Sequence, residues 1–163
     1  MAMRNRGRDV SPVEKILTDI GANFDTFTHV HPPRSVEEAA LERGQEIRQI
    51  VRSILFRLSE TEFIMILIAG DKQISWKELR HMVGRSRLTL ASPEEVYAIT
   101  GYKIGTVSPL GIPENIPVYI DQSVITQDRI SIGSGTRGKA ILLNTTTLLS
   151  VLPHALRCDL GVS

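Results

Sequence analysis

Four times in this chain a serine stands three residues ahead of a glutamate and is followed, within ten residues, by a glycine. Ser11-Pro12-Val13-Glu14 leads to Gly21, and Ser35-Val36-Glu37-Glu38 to Gly44. Ser75-Trp76-Lys77-Glu78 leads to Gly84, and Ser92-Pro93-Glu94-Glu95 to Gly101. In such a capping box the serine hydroxyl accepts an amide proton of the first turn, and the glutamate reaches back to the serine amide. Proline at the first helical position of two of these sets loses no hydrogen bond there. The glycines close the helices, because glycine enters the left-handed conformation at little steric cost. A further helix starts near Asn144 and runs to Leu152, before Pro153.

The stretches between these helices read as strands. Phe24 to Val30 alternates, with Phe24, Thr26, Thr28 and Val30 on one side and Asp25, Phe27 and His29 on the other. Ile50 to Leu58 and Glu62 to Ala69 are rich in β-branched and apolar residues, and Ser59-Glu60-Thr61 leaves a hairpin-length gap between them. Arg87 to Ala91, Ile116 to Asp121, Arg129 to Gly133 and Lys139 to Leu143 complete the set. Helices and strands are interspersed without regular βαβ spacing. That favours an α+β domain, a mixed and mostly antiparallel sheet with helices around it. A chain of 163 residues suits one such domain. The expected division is a basic arm at 1–10, the domain at 11–152 and a tail at 153–163.

Charge and composition exclude several classes of function. The longest apolar run, Phe63 to Ala69, is too short to span a membrane. The arginine-rich start leads into no apolar segment, so no signal peptide is expected. A single cysteine, Cys158, allows no internal disulfide and fits a reducing compartment, so the expected location is the cytoplasm. Net charge is +1, and Arg4, Arg6 and Arg8 in the arm hold three of the positive charges, so the rest of the chain is near −2. Bulk charge therefore does not hold a nucleic acid, and any phosphate contact is local. Lys77, Arg80, His81, Arg85 and Arg87 form the best local patch; the plain alternative is a solvated helix face.

Two glycine-rich loops stand out. TGYKIGTVSPLG, residues 100–111, carries Gly101, Gly105 and Gly111 but no Asp, Glu, His or Cys. GSGTRG, residues 133–138, joins two strands. Glycines let backbone N–H and C=O groups approach a ligand, although either loop alone reads equally as a tight turn. No Walker lysine follows the glycines, and there is no G-x-S-x-G elbow. His29 and His31 have no evident third ligand, so no metal is expected. Asp121 ends a strand, where it can cap a turn or orient a site residue. Cys158, in a polar tail, is not expected to be catalytic.

The blocks SVEEAALERG, IVRSILFR, FIMILIAGDKQI, LASPEEVYAITGYKIGTVSPLG, PVYID and GSGTRG occur in that order. Together, from Ser11 to about Leu152, they resemble the YbaK/ProX family of aminoacyl-tRNA deacylases, the editing domain also inserted in bacterial prolyl-tRNA synthetases. The resemblance implies a curved, partly barrel-like sheet and a pocket, free of metal and cofactor, that hydrolyses the ester of a mischarged tRNA 3′ end. By the same resemblance Gly101 and Ser108, with Arg52, are the expected catalytic residues, and Gly105 and Gly111 in the same loop bring backbone to the aminoacyl group. Gly133, Ser134, Gly135 and Arg137 belong to a second wall, and Asp121 joins the substrate contacts. Lys77, Arg80, Arg85 and Arg87 then become candidates for tRNA phosphates, and an aminoacyl-tRNA synthetase is a further candidate partner. Arg52 stands where the family has a lysine thought to hold the terminal nucleotide. Arginine keeps the charge but is bulkier and does not act as a neutral amine. Two readings follow: a stand-alone trans-editing hydrolase, or a binding module that uses the same pocket without turnover.

Overall fold

A computed structural model describes residues 10–162, so Arg4, Arg6 and Arg8 of the arm lie outside the described residues. The chain opens with α1 (Pro12–Ile20), β1 (Asp25–Thr28), α2 (Val36–Arg43) and a 3-10 turn at Ile47–Gln49. Then come β2 (Val51–Arg57), β3 (Phe63–Ala69), β4 (Gln73–Ile74), α3 (Trp76–Val83), β5 (Thr89–Leu90) and α4 (Pro93–Thr100). After a long loop follow β6 (Val118–Asp121), α5 (Gln122–Ile125), β7 (Arg129–Gly133), β8 (Lys139–Asn144) and α6 (Thr145–Val151). The chain ends in β9 (Leu156–Cys158) and β10 (Gly161–Val162).

The four serine caps form as the sequence predicts. Ser11, Ser35, Ser75 and Ser92 accept from the amides of Glu14, Glu38, Glu78 and Glu95 at 3.2, 3.0, 3.3 and 3.1 Å. At Ser11 and Ser92 the glutamate also closes the reciprocal bond.

The larger sheet has the order β5-β2-β3-β6-β9. Its centre is the β2–β3 hairpin, paired from Val51–Ala69 to Arg57–Phe63. Every residue of β3 is buried, and its side chains alternate between two cores. Met65 and Leu67 join Leu17, Ile130, Ile141 and Leu148 on one face, while Ile64 and Ile66 join Phe56, Leu79 and Leu160 on the other. β6 and β9 add in parallel. A second, antiparallel sheet has the order β1-β8-β7, and β4 pairs with β10. The two main sheets touch at a parallel bridge between Ile50 and Ser131, and the sheet does not close as a barrel. The expected α+β domain with a mixed, mostly antiparallel sheet is what the fold shows, with the sheet open.

The residues after 152, read from sequence as a tail, supply β9 and β10, with Leu160 in the core. Asp121 organises this end. One of its oxygens accepts from the amides of Leu160 at 2.6 Å and Gly161 at 3.1 Å, and the other accepts from Ser123 at 2.9 Å at the start of α5.

Candidate functional site

A cleft of about 410 Å³ opens where α2, β2, β7, β8 and the 104–107 loop meet. Its walls follow from local rules. Val36, Ala39 and Arg43 are three and four residues apart, so one face of α2 lines it. Arg52 and Ser53 come from β2, and Ser131 and Gly133 from β7. Ile104, Gly105 and Val107 come from the first glycine loop.

That loop is held by its own backbone. Thr106 Oγ1 donates to the Lys103 carbonyl at 2.7 Å, and the Gly135 amide donates to the Thr106 carbonyl at 2.9 Å, which ties the two glycine loops together. Gly133 must be glycine for reasons of space: a Cβ there would overlap the Val107 carbonyl oxygen and lie 2.7 Å from its carbon. The Tyr102 hydroxyl donates to the Leu110 carbonyl at 2.5 Å, and burial pushes its pKa up.

The cleft is electropositive. Arg34, Arg43, Arg52 and Lys139 line it, and no Asp or Glu does. Lys139 pairs with Glu14 at 3.1 Å. Arg52 donates from Nη2 to the Lys72 carbonyl, while its Nε is buried without a partner. Burial depresses the Arg52 pKa, with Asp71 acting against that shift, yet a guanidinium stays charged in a protein. The Ser53 hydroxyl is likewise buried and unpaired. Two unsatisfied polar atoms on adjacent residues of one strand are unusual, because each carries a desolvation cost that a ligand can relieve.

Of the residues singled out in the sequence, Arg52, Gly105 and Gly133 line this cleft. The others sit around it or elsewhere. Gly101 caps α4. Ser108 is fully buried behind the loop, where its hydroxyl accepts from the Leu110 amide at 3.1 Å. Gly111 packs against Tyr102 and Ile16. Ser134 is fully buried and donates to the Lys139 carbonyl at 2.7 Å, and Gly135 packs on Tyr102 and Pro12. Arg137 is exposed at the turn. Asp121 is outside the lining, its carboxylate engaged by the three amides already described. Lys77 and Arg80 lie on α3 and Arg87 is exposed near β5, none of them in the cleft; Arg85 is paired with Glu62 at 2.5 Å.

Sequence reasoning missed Arg34, Arg43, Ser53 and Lys139. The spacing of Val36, Ala39 and Arg43 carried a signal for Arg43, since it places the arginine on the helix face that also bears apolar residues. Among the described residues, no group of three or more His, Cys, Asp or Glu could hold a metal ion. None of the described helices is long and apolar enough to cross a membrane.

The comparisons with known proteins agree with this geometry. YwhH of Bacillus subtilis strain 168, itself uncharacterised, is 34% identical over 114 residues, which span 70% of this chain and 72% of YwhH. The proline–tRNA ligase of Thermosipho melanesiensis is 33% identical over 97 residues, covering 58% of this chain and 17% of the ligase. The chain thus spans about one-sixth of that enzyme. A crystal structure of a protein proposed as a trans-editing enzyme for prolyl-tRNA synthetase superposes with a TM-score of 0.77 at 28% identity, over 86% of this chain and 87% of that one. The hypothetical protein APE2540 shares the fold, with a TM-score of 0.82 at 23% identity over 92% of this chain and 99% of that one. The family model described as "Aminoacyl-tRNA editing domain" matches residues 31–151, which include every segment lining the cleft. The chain belongs to the aminoacyl-tRNA editing domain family.

Proposed function

We propose that this chain is a trans-editing hydrolase, which takes the 3′ end of a mischarged tRNA into the cleft and cleaves the ester to the wrong amino acid. The observation that carries this reading is the convergence of Arg52, Gly105 and Gly133, from three distant segments, on one acid-free cationic cleft. An aminoacyl ester is already activated. Rigid backbone from the two tied glycine loops can position the ester and a water, and positioning alone supplies much of the acceleration. Arg52 is a fixed positive charge for the terminal nucleotide and not a base, because its guanidinium does not deprotonate. The walls of the cleft set which amino acid enters, as a sieve does. The relatives that are proline–tRNA ligases make a prolyl-tRNA synthetase the proposed partner, and the cytoplasm the proposed location.

A second reading rests on Arg52 itself. Its guanidinium is bonded to the Lys72 carbonyl, and a fold that ties this charge to backbone suits a binding module without turnover. Hydrolysis kinetics on one mischarged substrate separate the two. In a hydrolase, Arg52→Lys keeps or raises the rate. Arg52→Ala loses about 1.5–3 kcal/mol of transition-state stabilisation, the range for a hydrogen bond to a charged group. Equal rates for wild type and both variants would remove Arg52 from the site. An inactive wild type beside an active Arg52→Lys would favour the binding module.

A further inference from the structure

Arg43 ends the cleft-facing side of α2, and its guanidinium is fixed from two directions. Nε donates to Nε2 of His29 and Nη1 donates to Ser131 Oγ, each at 3.0 Å. Ser131 passes its own proton to Gln45 Oε1 at 3.1 Å, so its oxygen is free to accept from Arg43. The His29 side chain is fully shielded from solvent. Its ring stands edge-on to Phe27 with centroids 4.8 Å apart, and its amide donates to the Gly138 carbonyl at 2.8 Å. Nδ1 of His29 meets the Glu42 carboxylate. These partners assign the tautomer: Nδ1 carries the proton toward Glu42, and Nε2 offers its lone pair to Arg43.

A guanidinium has five N–H donors. Two of Arg43's are engaged, and among the described residues Nη2 has no hydrogen-bond partner. Burial depresses the Arg43 pKa, with Glu42 acting against it, and the group still carries its charge. Arg43 is half-buried and its unused donors are open on the wall of a cleft lined by no carboxylate, so an anion in the cleft can take charge-assisted hydrogen bonds from them. Arg52 differs in kind, since it spends Nη2 on backbone. Arg43 is the better prepared of the two, fixed in place before any ligand arrives.

We infer that Arg43 is a second anion contact of the cleft, which holds a phosphate oxygen of a bound nucleotide, and that His29 is the positioning residue that aims it. The inference rests on the proposed substrate site but is tested without ester hydrolysis. Full-length protein is titrated calorimetrically with adenosine 5′-monophosphate and with adenosine, for wild type, Arg43→Gln, Arg43→Lys, His29→Phe and His29→Gln. Wild type should prefer the monophosphate by on the order of tenfold or more. Arg43→Gln should abolish that preference. His29→Phe, which keeps ring volume but has no acceptor, should weaken the preference. His29→Gln should retain most of it, because its amide oxygen can accept from Nε. A role limited to holding the fold would not divide the two histidine variants by acceptor chemistry. Should Arg43→Gln fail to fold, Arg43→Lys carries the test through a preference reduced by the lost fork. A preference unchanged in both arginine variants, or absent in wild type, overturns the inference. A wild type that prefers the monophosphate through Arg43 yet hydrolyses no aminoacyl ester removes the deacylase reading and keeps this one.

Discussion

Gly133→Ala tests how the two glycine loops are locked. The backbone at Gly133 is not left-handed, so the argument is one of space. An added Cβ would overlap the Val107 carbonyl oxygen and lie 2.7 Å from the Val107 carbonyl carbon and 2.8 Å from the Thr106 carbonyl oxygen. All three are backbone atoms that no rotamer change can move. Carbon contacts settle near 3.5–4.0 Å, so the 104–107 loop must retreat from β7 by roughly an ångström. Overpacking of this kind costs about 1–3 kcal/mol. The retreat also strains the bond from the Gly135 amide to the Thr106 carbonyl, and losing it adds about 1 kcal/mol. The expected destabilisation is therefore about 2–4 kcal/mol. Gly105→Ala is the internal control. It has open space but a φ of +88°, so it carries a left-handed penalty of about 1–2 kcal/mol and no clash. Urea unfolding with unchanged m-values gives both numbers. A Gly133→Ala midpoint within error of wild type, or a smaller loss than for Gly105→Ala, would refute the idea that the loops are locked by close approach.

Glu14 accepts from the Ser11 amide, Thr26 and Lys139 at 2.6, 2.8 and 3.1 Å. Burial alone would raise its pKa, and these bonds outweigh burial and lower it below the ordinary 4.5. Its stabilisation is therefore complete above that value and lost as the pH falls through the depressed folded pKa. Glu14→Ala should cost about 1–2 kcal/mol in urea melts at neutral pH and much less near pH 3, and a penalty independent of pH would contradict this. Burial, together with Asp121 and Asp159, pushes the Cys158 thiol up to about 12. A thiol reagent at neutral pH should label Cys158 slowly in the native protein and fast in urea, and equal rates would refute the shielding of the Cys158 thiol. If Lys77, Arg80 and Arg87 meet tRNA phosphates, replacing all three by alanine should flatten the salt dependence of binding by roughly 0.7–0.9 per lost contact. Arg85→Ala should flatten it less, because Arg85 is already paired with Glu62, and an unchanged slope in the triple variant would show the patch is misplaced.

α1 to α4 were legible because their signals are local: serine, glutamate and glycine fall within ten residues and need no partner from elsewhere, whereas the four-residue α5 carries no such signal and was not read. β2 and β3 were legible for the same reason, as apolar runs joined by a short turn. β4, β9 and β10 were not. Each is two or three residues long and exists only through pairing with a distant segment, as Gln73–Ile74 does with Gly161–Val162. Asp121 shows the consequence. Its partners Leu160 and Gly161 lie about forty residues on, in a segment read as a tail, so a carboxylate with structural partners looked available for substrate. In the cleft, Arg52, Gly105 and Gly133 were visible through family blocks, whereas Arg43 depends on how α2 lies against the sheets. His29 read as a weak metal candidate because its real partners, Glu42 and Arg43, are brought to it by that same packing.

The most direct test of the account is release of free amino acid from a panel of mischarged tRNAs by the purified chain. The account predicts enzyme-dependent release from one or a few mischarged species, abolished or strongly reduced by Arg52→Ala, with correctly charged tRNA spared. Binding of those tRNAs with no release above the spontaneous rate across the whole panel would contradict it.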